Sequence, residues 1–428
     1  MAAIITSHFR LNNAKAIVTD VANYATPGTP RYYIGLGKSD PWNASTTETV
    51  QTPNTGEALL ENVKKNLIAL CLVTDASLVV PRINWRGTST PQIFKTYNRW
   101  DASTMYTSTS GGTTYNPAYC YYSSAIYICV KTGPAYSTVA PDANGTSVIG
   151  TIGTVGADGY QWVKICAVDT VSKLFQRDFI PITSGSIANT ASAGSIYGYT
   201  GTPTGSGSPA VLGDGTSAAV TISGGVMTID NRGSGYINAN VSGQPTVTLL
   251  TAPIKGFGAV PSEDLPSWYV SLAGDFQGSE DGTIPVTNDY RQISLLKDAV
   301  LDTPATLLNP IVPALKSLNL GASANVSALM PDMVIEQTVG GARGFVSHTG
   351  LNLSSQVIVY YHQNESPSVN TKAFTTGAVT WTGGAGTVIA ADEPNYNPGT
   401  GTVLFVENRL PITRSETQVE QVRVVLQF

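Results

Sequence analysis

The chain has 428 residues, enough for two to four domains at roughly 150 residues each and for a sizeable buried core. Only 12% of the residues are charged, about half of the usual fraction, and the net charge is −5. Binding to a phosphate backbone needs clustered Lys and Arg residues, which this chain lacks, so we expect no nucleic acid among its partners.

The patterns of apolar residues and cysteines argue against membrane insertion, secretion and a zinc site. No window approaches 18 uninterrupted apolar residues and the N-terminus has no long apolar run, so we expect neither membrane insertion nor a secretory signal. The cysteines are widely spaced and no histidine lies near them, which disfavours zinc and predicts buried free thiols: Cys71, Cys120, Cys129 and Cys166. The sequence indicates no cofactor.

The first 85 residues mix helical and extended patterns. Alternation and β-branched residues predict strands at 3–10, 31–37 and 76–85. Apolar residues at helical spacing predict helices at 11–24 and 56–72.

Short β segments and turns follow from about residue 86 to 182, and Gly-, Ser- and Thr-rich sequence follows from 183 to about 262. Clean alternation at 219–236 predicts a small β module in that second region rather than a linker. We expect a helical or irregular stretch at 304–320. Further strands are predicted within 119–133, 145–168, 174–182, 245–253, 267–276, 290–299, 344–363 and 403–414.

The last ten residues predict a terminal strand docked in a sheet, because apolar side chains share one face: Val422, Val424, Leu426 and Phe428. Arg423 and Gln427 lie on the other face. With few helices and many strands, the fold class is mainly β or α+β, with inserted domains.

The stretch 37-GKS-39 ends like a phosphate-binding loop, but the spacing excludes that site. The motif needs a glycine five residues before Gly37, and Tyr32 stands there. The Asp40-Pro41 pair also biases Asp40 away from the helical start that such a loop requires.

Catalytic arrangements find little support. The three histidines, His8, His348 and His362, lack a nucleophile elbow, and the neighbours Ser347 and His348 should point to opposite faces of a strand. A pair of glycosidase carboxylates stays open, with the clustered Asp275, Glu280 and Asp281 as candidates, although a solvated loop explains them better.

Four short segments combine aromatic residues or proline with arginine or acids: 40-DPW-42, 81-PRINWRGT-88, 97-YNRW-100 and 407-ENRLPITR-414. Arg, Trp and Tyr are enriched at interface hot spots, so these segments are interface candidates. The alternative of comparable weight is that they fasten loops to their own domain.

Seven segments, which overlap three of these four, resemble in order the gene product 8 family, the baseplate wedge subunit of T-even-like contractile-tailed bacteriophages. For example, 34-IGLGKSDPW-42 resembles the family's Phe-Gly-Arg-Ser-Glu-Pro-Trp, and 79-VVPRINW-85 resembles its Ile-Pro-Arg-Arg-Asp-Trp. The others are 3-AIITSHFR-10, 125-AIYICVKTG-133, 157-ADGYQWVKICAV-168, 290-YRQISLL-296 and 405-FVENRLPI-412. Residues 183–262 and most of 297–400 have no counterpart.

The resemblance implies a non-enzymatic virion protein made in the host cytoplasm, a homodimer that contacts other baseplate wedge proteins. It also implies a β-sandwich-like core domain, with a few edge helices, and an inserted second β domain. We therefore expect a discontinuous core of 1–85 plus 263–428, an inserted domain at 86–182 and a small β module at 183–262. The signature or interface candidates are Arg10, Asp40, Pro41, Trp42, Pro81, Arg82, Trp85, Trp162, Arg291, Glu407, Asn408 and Arg409.

Two other functions stay open. The Tyr-rich stretch 113–136 and the Gly/Thr-rich stretch 370–402 fit a receptor- or carbohydrate-binding tail module, since exposed aromatic rings stack on sugars. A polysaccharide-degrading enzyme is the third hypothesis.

Overall fold

The computed structural model of the protein describes a mainly β fold with several antiparallel sheets, which confirms the predicted fold class. No helix in the described part of the chain is long and apolar enough to cross a membrane. The described residues are 6–37, 57–87, 92–99, 117–183, 192–276, 290–304, 310–321, 326–352, 354–363, 372–412 and 420–428.

Contacts divide the chain into two compact units. The first unit comprises Met1–Thr19, Ala76–Ser271 and Val425–Phe428, and the second comprises Asp20–Asp75 and Leu272–Val424. These units do not coincide with the three regions expected from the sequence, and the predicted domain boundaries stay a prediction.

Three helices occur in the described residues: α1 Ser7–Ala22, α2 Glu57–Lys65 and α3 Pro261–Asp264. The Thr6 hydroxyl accepts a hydrogen bond from the Phe9 amide at 3.2 Å, so a side chain caps the start of α1. The prediction of a strand at 3–10 is therefore wrong for residues 7–10, which are helical. Leu11, Ala14 and Val21 are buried, as the helical spacing predicted.

The second unit contains a five-stranded antiparallel sheet in the order β16-β2-β1-β15-β24. Its strands are β1 Tyr32–Gly37, β2 Leu67–Leu72, β15 Tyr290–Lys297, β16 Ile311–Pro313 and β24 Thr402–Ile412. The prediction of one helix over 56–72 is wrong after Lys65, because β2 pairs with β1 and β16 and all six of its residues are buried. A short apolar run has the same appearance in a buried strand and in a buried helix, and pairing with distant strands decides between them.

A seven-stranded sheet in the second unit has the order β22-β21-β18-β19-β20-β17-β23 and covers a core that includes Ile335, Val346, Val359 and Val379. The expectation of helix or irregular chain at 304–320 is wrong for 311–313 and 316–319, which are strands. The seven strands are β17 Lys316–Asn319, β18 Val334–Gln337, β19 Arg343–Leu351, β20 Val357–Gln363, β21 Gly377–Trp381, β22 Gly384–Val388 and β23 Ala390–Asp392.

In the first unit, β4 Tyr119–Tyr122, β5 Ala125–Lys131 and β6 Gln161–Ala167 form an antiparallel sheet. Its core is aromatic and contains Phe94, Tyr160 and Trp162. Trp162 meets Phe94 edge to face with ring centres 4.9 Å apart, an arrangement that the ring quadrupoles favour.

The Gly- and Ser-rich region of the first unit folds around its own core, which includes Ile196, Val220, Ile222 and Leu249. The alternation at 219–236 is a hairpin, whose tight turn is Gly224-Gly225 with φ of 58° and 77°. Positive φ at both turn positions is the conformation that two-residue hairpins require, and it favours glycine. The strands are β8 Ile196–Thr200, β9 Val211–Gly213, β10 Thr216–Ser223, β11 Val226–Ser234, β12 Ala239–Val241 and β13 Thr248–Thr251.

The remaining sheet has the order β25-β14-β3-β7, and its strands are β3 Asp75–Pro81, β7 Phe179–Pro181, β14 Tyr269–Phe276 and β25 Glu420–Gln427. The terminal strand is confirmed as β25, a strand at the sheet edge. Val422 and Val424 are buried while Arg423 is exposed, as the alternation predicted.

Candidate functional site

Pro81 and Arg82 are held inside the first unit. The Pro81 carbonyl accepts a hydrogen bond from the Tyr119 hydroxyl at 2.8 Å. The Arg82 guanidinium lies 5.1 Å from the ring centre of Tyr121 and 4.8 Å from that of Phe175. Its Nε atom donates to the side-chain oxygen of Asn84 at 2.9 Å. Stacking between two rings stabilises the Arg82 side chain and leaves little of its guanidinium accessible to a partner protein. Arg82 therefore anchors its own loop.

Trp85 and Trp162 are likewise part of the aromatic packing of the first unit. Trp85 donates from Nε1 to the Ser137 hydroxyl at 3.0 Å and meets Tyr122 edge to face at 5.0 Å. Trp162 is 2% exposed. Both residues stabilise the β4–β5–β6 sheet.

Three signature residues of the second unit lie on β24. Glu407 and Arg409 are two residues apart on one strand, so they share a face, and their side chains form an ion pair of 3.2 Å with each nearly half exposed. Asn408 faces the other way and accepts a hydrogen bond from Gln292 Nε2 at 2.7 Å. An exposed ion pair contributes little to stability, so Glu407 and Arg409 form a charged surface that a partner can use.

The other candidates divide into two groups. Arg291 lies on β15, and Arg10 lies on α1 with its guanidinium carbon 5.9 Å from the ring centre of Trp268. The segment Asp40, Pro41 and Trp42, and the acids Glu280 and Asp281, lie outside the described residues.

A cavity of about 370 Å³ opens in the first unit, and Tyr97 and Arg99 contribute to its wall. Arg99 donates to the carbonyl oxygens of Ile237 and Ala252 at 2.9 and 3.1 Å. The rings of Tyr97 and Phe257 pack edge to face at 5.6 Å. The sequence segment 97-YNRW-100 pointed to Tyr97 and Arg99 as interface candidates, and the structure places both at a cavity.

The same cavity contains a buried carboxyl group that the sequence reasoning missed. Asp264 is 2% exposed, and its Oδ2 atom accepts a hydrogen bond from the Gly258 amide at 2.6 Å. Burial raises the pKa of Asp264 to about 7, against the opposing effects of that hydrogen bond and of Arg99. The apolar and proline neighbours in 259-AVPSEDLPSW-268 are the only sequence signal that could have indicated an enclosed acid.

Asp264 also stabilises the backbone conformation of Gly258. Gly258 has a φ of 72°, and a side-chain carbon there would lie 2.7 Å from the carbonyl oxygen of Ile165. A residue with positive φ and no room for a Cβ atom must be glycine. The hydrogen bond from its amide therefore gives Asp264 a structural role at the cavity wall.

Ser347 and His348 contact each other, and the prediction of opposite faces is wrong. The Ser347 hydroxyl lies 3.1 Å from Nδ1 of His348, because the strand register shifts between Val346 and His348 in a β-bulge. Both residues are buried, and the His348 ring stacks on Tyr360 at 4.3 Å. This pair is packed inside a sheet and presents no open face to a substrate.

The four cysteines are buried free thiols, as predicted. Burial raises the pKa of Cys166 to about 12 and that of Cys120 well above its usual value. Such thiols are poor nucleophiles. Within the described residues, no group of three or more His, Cys, Asp or Glu side chains is arranged to hold a metal ion.

Comparison of the chain with protein-family models finds no match, and comparison with curated proteins finds no match either.

Proposed function

We propose that this chain is a structural component of a phage tail baseplate wedge, and that it acts through protein–protein contacts rather than catalysis. The observation that carries the proposal is the order of the seven segments that resemble the gene product 8 family. The mainly β fold is compatible with it. In this proposal the chain is a homodimer in the virion, it binds other wedge proteins, and its contacts rearrange when the sheath contracts.

The described signature residues fall into two groups, one that stabilises the fold and one that is exposed to a partner. Pro81, Arg82 and Trp85 have partners inside the first unit, so their proposed role is to stabilise the fold. Glu407 and Arg409 are nearly half exposed on β24, so they are the proposed contact residues for a neighbouring subunit.

Native mass spectrometry of the chain, alone and mixed with candidate wedge proteins, tests the proposal directly. We expect a dimer alone and a defined complex with a wedge protein. The Arg409→Glu substitution should weaken that complex because it places like charges side by side. Arg177→Glu is the matched control, because Arg177 is 96% exposed at another place. Cryo-EM of the virion with this chain outside the baseplate would contradict the proposal.

Burial of several aromatic rings in the described residues weakens the carbohydrate-binding alternative. Tyr119 and Tyr127, from the Tyr-rich stretch, are buried, and so are Trp381 and Tyr396 from the Gly/Thr-rich stretch. A ring that is packed in the core cannot stack on a sugar. Binding of the isolated chain to a glycan array would nevertheless favour that alternative over the wedge proposal.

A further inference from the structure

Buried polar side-chain atoms of Ser262 and Trp268, two residues that line one small cavity, have no hydrogen-bond partner among the described residues, and neither has an atom of Arg10 beside Trp268. They are Nε of Arg10, Oγ of Ser262 and Nε1 of Trp268. Ser262 is 1% exposed, and the Arg10 guanidinium lies 5.9 Å from the Trp268 ring centre. A buried polar group without a partner destabilises a fold. Two of them in the wall of one cavity, with a third beside it, therefore indicate an occupant that supplies the partner.

Ser262 and Trp268 line a cavity of about 60 Å³. That volume suffices for about two water molecules at roughly 30 Å³ each, or for one group of similar size. The small cavity lies next to the cavity of about 370 Å³, with which it shares four lining residues: Ser7, His8, Arg99 and Glu263.

The groups around the small cavity are mainly hydrogen-bond donors. The indole of Trp268 in its wall can only donate, as can the Arg10 guanidinium beside that indole, and the Ser262 hydroxyl can donate. Ser7 and His8 belong to the first turn of the 16-residue helix α1, where the helix dipole favours an anion. The expected occupant therefore carries a negatively charged acceptor group.

The charge balance favours a single negative charge. Three cationic groups are present: Arg99 and Lys255 in the cavity walls, and Lys15, whose Nζ lies 3.8 Å from Glu263; Glu263 and Asp264 supply two carboxyl groups. Both terminal nitrogens of Arg99 already donate to backbone carbonyls. A monoanionic carboxylate fits this small positive excess, whereas a phosphate dianion would meet repulsion from the two acids.

The wall of the larger cavity is partly apolar. Ile237 and Ile254 are 42% and 46% exposed, and Pro253 and Val260 complete this apolar part. Exposed isoleucines beside a donor-rich cavity suit a ligand with an apolar side chain next to its charge.

We propose that the paired cavities bind a carboxylate-bearing segment of a partner polypeptide, with the carboxylate in the smaller cavity and an apolar side chain in the larger one. The choice of a polypeptide rests on the proposed function. The carboxylate comes from a chain terminus or from an acidic side chain.

Binding of small probes to the whole chain distinguishes these sources. The probes are N-acetyl-leucine for a terminal carboxylate, N-acetyl-aspartyl-leucinamide for a side-chain carboxylate, and N-acetyl-leucinamide and inorganic phosphate as controls. The readout is the NMR signal of the Trp268 indole N–H, assigned with Trp268→Phe. We expect at least one carboxylate probe to shift this signal saturably and to bind at least tenfold more tightly than either control. Equal binding of N-acetyl-leucinamide, tighter binding of phosphate, or no shift with any probe would overturn the proposal.

Two variants test the assigned contacts. Ser262→Ala should weaken the better carboxylate probe about tenfold, as expected for a lost hydrogen bond to a charged group. Ser271→Ala should leave the affinity unchanged, because this equally buried serine already accepts a hydrogen bond from Gln176 at 2.8 Å. Arg10→Gln gives an independent second test by removing the guanidinium, with a similar loss expected.

Unchanged affinity in both Ser262→Ala and Arg10→Gln would show that water alone fills the small cavity, and would overturn the proposal. Because the assay uses the isolated chain, its failure does not bear on whether the protein belongs to a baseplate. Imaging of the virion decides that question separately.

Discussion

The Asp264→Asn substitution tests whether the buried carboxyl group destabilises the folded protein once it ionises. Asparagine has almost the same shape as aspartate and keeps an oxygen that can accept the hydrogen bond from the Gly258 amide. It carries no charge. The variant should therefore keep the cavity wall and lose the ionisation.

The sign and size of the effect follow from the pKa. Burial raises the pKa of Asp264 from its usual 3.8 to about 7, so between these values the folded protein holds the proton and the unfolded protein does not. The contribution of Asp264 to stability is therefore fully present below about pH 4, and it is lost as the pH rises through about 7. A difference of about three pKa units corresponds to about 4 kcal/mol. Relative to the wild type, the variant should gain up to about 4 kcal/mol between pH 4 and pH 8.

Urea unfolding followed by tryptophan fluorescence, at several pH values from 4 to 9, measures this difference. Asp214→Asn is the control. Backbone amides of Asn238 and Ile237 lower the pKa of this exposed carboxyl group. Its contribution is present above the unfolded pKa and is lost as the pH falls, which is the opposite sign. A difference between Asp264→Asn and wild type that stays flat from pH 4 to pH 8 would refute the reasoning.

Arg82→Ala should lower the free energy of unfolding by about 2 kcal/mol. Arg82→Lys should lower it by less, because lysine keeps the charge but loses the planar stacking and the Nε hydrogen bond. Equal urea midpoints for the two variants would contradict this. Gly201→Ala should destabilise the protein more than Gly243→Ala. Both glycines have positive φ, but a Cβ atom on Gly201 would lie 1.9 Å from the Thr246 carbonyl oxygen, whereas nothing lies within 4 Å of a Cβ atom on Gly243. Backbone strain alone accounts for about 1–2 kcal/mol, and thermal unfolding of both variants measures the excess. A maleimide at pH 8 should label none of the buried thiols until urea unfolds the protein; rapid labelling of the native state would contradict the burial and the raised pKa of Cys120, Cys129 and Cys166.

Features that depend on neighbours along the chain could be predicted from the sequence. The alternation at 219–236 predicted a small β module, and the structure forms a hairpin there because adjacent strands need only a tight turn, which Gly224-Gly225 provides. The alternation around Arg423 predicted a terminal strand with one buried face for the same local reason. Low charge and many strand patterns predicted a mainly β or α+β fold.

The candidate sites could be predicted only in part. The segment containing Tyr97 and Arg99 was indicated by its residue types, and both residues line a cavity. Arg82 was indicated in the same way, but the structure surrounds it with aromatic rings of its own unit. Residue type predicts that a side chain can form strong contacts, and only the fold decides whether those contacts are internal.

Tertiary structure decided the features that depend on residues far apart in sequence. The apolar run after Lys65 became the strand β2 because two distant strands supply its hydrogen bonds. Ser347 and His348 meet because a bulge forms where β19 pairs with β20. Asp264 titrates near neutral pH because the surrounding chain excludes water from it. Local alternation and turn residues were sufficient where strands pair with their chain neighbours, as at 219–236. The fold alone determined which polar groups are enclosed together, because desolvation and hydrogen-bond partners come from segments that the linear order keeps apart.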